Sequence, residues 1–217
     1  MMSTITVPRN SFVHPSAVLD GTITLGEHSW VAEGALLKGD ITIGDGSYIG
    51  ERSVLSGRIT VGSHTRIQIG VVIRGTNTIG SYVNIYDLVN IEGGRPKGYH
   101  DSDDRSIISG YGWVNHGATM HGSQIGRGAA VGINAALDYN TILGEGAILA
   151  NGSATAVNTT IPANAIAQGV PAQVVKENIT DEDRIKLMGL VSSEWVKVEA
   201  EGIIQWVTSQ LKAMGRA

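Results

Sequence analysis

His116 and His121 are the residues best placed by type to do chemistry, two imidazoles five positions apart in Val114-Asn115-His116-Gly117-Ala118-Thr119-Met120-His121-Gly122. Neutral imidazole ligates zinc or iron, and a single imidazole is enough for a general base. Ordinary surface histidines share this spacing, so what points to a site is a carboxylate within reach. Glu92 precedes His121 by 29 residues, one 18-residue repeat plus an excursion of 11, and removing the excursion stacks the two side by side. Two histidines, one carboxylate and a water make a hydrolytic zinc site or, with open positions, an iron site. His116 points from a different part of the repeat and need not meet His121 within one chain. A rotational trimer would bring His116 of one chain to Glu92 and His121 of the next. His100, inside the excursion, is an alternative third ligand or a proton shuttle. Arg74 lies one repeat before Glu92 in the same column, so a plain ion pair is the third reading of Glu92.

These side chains are placed by a ladder. From Val13 to Ile91 an aliphatic residue returns every six positions, fourteen in all, and Thr-Ile-Thr-Leu-Gly at 22–26 recurs in related form at 40–44, 58–62 and 76–80. Six fits neither a helical turn nor an alternating strand, and hexapeptide periodicity is a sign of a β-helix. Each hexapeptide then gives one short strand and a corner, and three make a coil of 18. Gly26, Gly44, Gly62 and Gly80 follow an inward residue once per coil, where a corner calls for positive φ or close backbone approach. The pattern resembles the left-handed β-helix proteins of the hexapeptide-repeat superfamily; left-handedness is implied by that resemblance alone.

Composition fits this plan. One Phe beside 29 Gly suits a thin prism, and the absence of Cys excludes disulfides and thiolate metal sites. A net charge of −4 gives no basic footprint for nucleic acid. The N-terminus lacks the apolar run of a signal peptide and no window approaches a membrane span, so a soluble cytoplasmic protein is expected.

The rhythm stops at Ile91, and residues 92–106 read as a loop thrown out of the solenoid, either a solvated charged loop or a wall of the site. The ladder resumes at Ile108, Val114 and Met120, takes one five-residue step to Ile125, and continues to Ile161. A β-helix is expected over 1–178 and a helical segment packed on it over 179–217. Thr180-Asp181-Glu182-Asp183 offers an N-cap with acids in the first turn. Ile185, Met188, Val191, Trp195 and Val198 form one apolar stripe, which Gly202 interrupts before Ile203, Val207, Leu211 and Met214 resume it.

The paired-histidine segment resembles the His-x4-His signature of the γ-class carbonic anhydrase family. Arg74-Gly75 and Asn84-Ile85-Tyr86-Asp87 resemble its Arg-Gly-Asp and Asn-x-Gln-Asp segments, and Gln168-Gly169-Val170-Pro171 before a helix matches its tail. Glu92 stands where the family has its first histidine ligand, Tyr86 where it has Gln, and Thr76 where it has Asp. The resemblance implies a homotrimer with Zn2+, Fe2+ or Co2+ between subunits, acting on carbon dioxide or another small electrophile. His116, His121 and Glu92 would be ligands; Glu92, Tyr86 and His100 candidate catalytic groups; Arg74 and Asp87 interface residues. A carboxylate in place of a neutral histidine adds negative charge and weakens acidification of a metal-bound water. Other readings stay open: a metal-dependent hydrolase, an inactive trimeric scaffold, or a CoA-dependent acyltransferase of the hexapeptide-repeat kind with His116 or His121 as general base.

Overall fold

The computed structural model describes residues 3–94, 105–188 and 193–215. Among them the chain winds as a three-faced parallel solenoid. We name its faces A, B and C by their inward columns. Face A stacks Leu37, Leu55, Ile73, Ile91, Met120 and Leu137 in register. Face B carries Ile43, Val61, Ile79, Ile108, Ile125 and Leu143, and face C Ile49, Ile67, Ile85, Val114 and Val131. One cluster of these residues runs unbroken from Ile23 to Ala172. Full burial of each such side chain stabilises by about 1.5–3 kcal/mol, so order resides in the columns.

Glycine acts at two corners for different reasons. Gly57, between faces A and B, has φ +133°, and a Cβ there would sit 2.2 Å from the Gly75 carbonyl oxygen of the next coil. Gly44 has no positive φ; its Cβ would fall 2.5 Å from the Ser63 nitrogen, so close approach is what the after-rung glycines serve. Buried hydroxyls satisfy corner backbone from coil to coil. Thr65 Oγ1 donates to Gly80 O at 2.8 Å and accepts from Val83 N at 3.2 Å.

The expected excursion leaves after the strand Asn90–Gly93 and returns at Ser106–Ile108. Beneath it the interior turns polar: the column Ile41, Ile59 continues as Asn77 and Ser106. Asn77 Nδ2 donates to Arg74 O at 2.7 Å and Ser106 Oγ to Glu92 O at 3.1 Å, which holds both ends of the excursion on the coil. Residues 95–104, with His100, lie outside the described residues.

At the far end the strands Ile166–Gly169 and Ala172–Lys176 pair antiparallel and close the face C sheet. Helix α1 (Asp181–Met188) starts where the N-cap pattern places it: Asp183 N donates to Thr180 Oγ1 and Thr180 N to Asp183 Oδ2, a reciprocal cap. Helix α2 (Ser193–Ala213) departs from expectation in running straight through Gly202. Of the first stripe, Ile185 is 59% exposed in the single chain, and the side chains of Met188, Val191, Trp195 and Val198 lie outside the described residues. The second stripe does pack. Val207 and Leu211 are buried with Phe12, Trp30 and Ala32, so α2 returns to the first coils of its own chain. No described helix is long and apolar enough to cross a membrane.

Candidate functional site

Face A sets the outward residue after each rung in a column, and Asp20, Lys38, Ser56, Arg74, Glu92 and His121 follow in register. Glu92 and His121 are therefore neighbours on adjacent coils, as the 29-residue spacing predicts. Gly122 N donates to Glu92 O at 2.9 Å and fixes that register. Arg74 is the neighbour on the other side, yet among the described residues no ion pair joins it to Glu92. The His121 ring lies 5.2 Å from the Tyr139 ring.

His116 sits on the corner between faces C and A, half-exposed. Three features aim it. Gly117 at φ +67° turns the chain after His116, the His116 N–H donates to Asn115 Oδ1 at 2.9 Å, and Asn134 N donates to the His116 carbonyl at 2.9 Å. Asp87, one coil back on the same corner, divides its carboxylate between two jobs. Oδ1 accepts from Ile69 N at 3.1 Å, while Oδ2 faces His116 Nδ1 at 3.4 Å. With Nδ1–H turned to the carboxylate, Nε2 is the basic nitrogen; this tautomer is assigned from the partners. The Tyr86 ring lies 4.9 Å from the imidazole and 5.0 Å from the buried Trp113 ring, so the imidazole rests on an aromatic wall. Exposed Ile69, Leu88 and Ile133 flank the pair on this corner.

The structure thus makes two groupings from the expected residues, Glu92 with His121 on face A and Asp87 with His116 on the corner. It does not merge them. Among the described residues no three His, Asp or Glu side chains gather as a metal would require. A metal shared between copies would have to draw His116 from one chain and Glu92 and His121 from another.

No protein-family profile matches the chain, and no curated protein does either. Solved structures do. A hexapeptide transferase family protein from Anaplasma phagocytophilum has TM-score 0.56 and 20% identity, covering 86% of this chain and 92% of its own. The UDP-N-acetylglucosamine O-acyltransferase of Moraxella catarrhalis has TM-score 0.61 and 13% identity over 97% of this chain and 90% of its own. The UDP-N-acetylglucosamine acyltransferase of Campylobacter jejuni has TM-score 0.56 and 21% identity over 87% and 81%. The fold is a left-handed parallel β-helix of the hexapeptide-repeat kind.

These likenesses correct the expectation of a carbonic-anhydrase-like lyase. The similar structures named above are two acyltransferases and a hexapeptide transferase family protein, and none of the three is a carbonic anhydrase; within one chain His116 stands apart from Glu92 and His121. Sequence reasoning missed the Asp87–His116 pair, although a signal was there: Asp87 also precedes its histidine by 29 residues, the arithmetic that joined Glu92 to His121. Tyr139, 18 residues beyond His121, was equally findable by the repeat.

Proposed function

We propose that the chain is an acyltransferase that moves an acyl group from a CoA thioester to a hydroxyl or amine of a small acceptor, with His116 as general base and Asp87 positioning it. The observation that carries this is His116 Nδ1 facing Asp87 Oδ2 at 3.4 Å while the other carboxylate oxygen is held by backbone. Similarity in fold to acyltransferases of UDP-N-acetylglucosamine supports the reaction class. Nε2 removes the acceptor proton as the acceptor oxygen or nitrogen attacks the thioester carbonyl. The tetrahedral intermediate then collapses, breaking the carbon–sulfur bond, and the proton on Nε2 passes to the departing thiolate. Products are the acylated acceptor and free CoA, and Asp87 steadies the imidazolium that forms between the two proton transfers.

A homotrimer completes this reading. Ile69, Leu88 and Ile133 are 50%, 71% and 40% exposed around the pair. A second copy laid over this corner would bury them, exclude water from the imidazole and wall the cleft. No step passes through a metal.

The test is release of CoA thiol from acetyl-CoA in the presence of sugar nucleotides, amino sugars and small amines. The chain has no Cys, so a thiol reagent reads only the product. His116→Ala should lose about 10²–10⁴-fold in rate and His121→Ala far less. Acceptor-dependent release that survives His116→Ala, or that stops when a chelator strips a stoichiometric metal, would overturn the assignment.

A further inference from the structure

We propose a second small-molecule site, away from the His116 corner, in the cavity between α2 and the outer side of face C, and that it takes a flat, uncharged heteroaromatic ring. The cavity measures about 330 Å³ and is lined by Tyr48, Arg66, Gly202, Ile203 and Trp206, a volume within the range of small-ligand pockets. Its walls are aromatic and fixed. Trp206 remains 43% exposed although its ring is backed by Trp30 at 4.7 Å. Tyr48 meets it edge-on, 6.1 Å away at 72°, so the two rings form adjoining walls of a slot. The phenol of Tyr48 donates to Glu51 Oε2 at 3.1 Å, which stops the ring from swinging in to fill the space.

Gly202 keeps the slot open. A Cβ built there meets nothing within 4 Å, so a side chain at this position would enter the open space of the slot. Glycine in a helix interior is disfavoured by about 1 kcal/mol relative to Ala, and nothing in the packing of α2 calls for it.

Charge decides the ligand class. Burial, and then the Glu51 carboxylate, push the Tyr48 phenol up to about 12, while the Arg66 charge pulls the other way. Arg66 in the lining and Glu51 on the Tyr48 phenol carry opposite charges, so the rim has little net charge. This suits a neutral ring with hydrogen-bonding groups on its edge, stacked on indole, better than a carboxylate or a phosphate.

Adenosine is the probe, since it carries neither the thioester nor the phosphates of the proposed acyl donor. Titration calorimetry on the full chain should show one site per chain. Trp206→Ala should weaken it about tenfold or more, the usual loss when a base loses its aromatic stacking partner. Gly202→Leu should abolish it while helicity and melting temperature hold or rise, and His116→Ala should leave it unchanged, which separates this site from the acyl-transfer reading. Absence of binding at millimolar adenosine, binding that survives Gly202→Leu, or equal binding of cyclohexanol would each overturn the proposal.

Discussion

Asp87→Asn isolates the contribution of the charge beside His116. The amide keeps the shape and an oxygen for the Ile69 N–H, so the corner should fold unchanged and only the charge is lost. At 3.4 Å, a unit charge pair is worth about 1.2 kcal/mol in water and about 5 kcal/mol at an effective dielectric of 20. The side chains are 47% and 36% exposed, so the lower figure governs an isolated chain, and 1.2 kcal/mol is about eightfold in rate. A second copy over the corner would raise the effect towards the upper figure. Expected, then, is a fall of about tenfold or more in kcat/KM, with stability within about 0.5 kcal/mol of wild type because the pair is at the surface. His116→Ala/Asp87→Asn should be no slower than His116→Ala, since the carboxylate acts only through the imidazole. Asp87→Asn at wild-type rate, or losses that multiply in the double variant, would refute the reasoning.

Four further outcomes follow from the scaffold. Ile67→Asp places a carboxylate at a fully buried rung and should cost several kcal/mol, more than about 2 kcal/mol by any transfer scale without a partner; wild-type melting would count against the column. Gly57→Ala should lose about 1–3 kcal/mol from backbone strain alone, plus the collision with the Gly75 carbonyl, read by denaturant titration. Leu211→Ala, at a site 1% exposed, should cost about 2–5 kcal/mol and shift tryptophan emission to the red as Trp206 and Trp30 open to water. Hydrogen bonds from Lys176 and Thr180 lower Asp183 from 3.8 to about 2. Because the folded value lies below the unfolded one, its stabilisation is full above about pH 4 and lost as pH falls towards 2, so amide exchange at the start of α1 should accelerate there before the coils respond.

Fold and site were not equally legible, and the reason is periodicity. A solenoid repeats the same contact each coil, so Ile43, Val61 and Ile79 announce their stacking by spacing alone. The same arithmetic placed Glu92 beside His121 across the excursion. It stops where contacts are not between repeats. That α2 passes through Gly202 and docks on Phe12 and Trp30 joins segments nearly two hundred residues apart, and no period links them. At the site, spacing gives the column in which a side chain stands but not its rotamer, so Asp87 splitting its two oxygens between Ile69 and His116 was invisible. The separation of His116 from His121 within one chain was legible in the spacing, while the aromatic wall of Tyr86 and Trp113 behind His116 depends on side-chain placement that no period gives.

The return of α2 to the first coils changes what kind of polymer this is. A linear array in which each coil touches only its neighbours can fray from either end one coil at a time. Here the open end, with Ile5 and Val7 exposed, is strapped by Val207 and Leu211 through Phe12 and Trp30. Its first coils cannot peel away unless the last helix lets go. The chain behaves as a ring closed by an aromatic clasp.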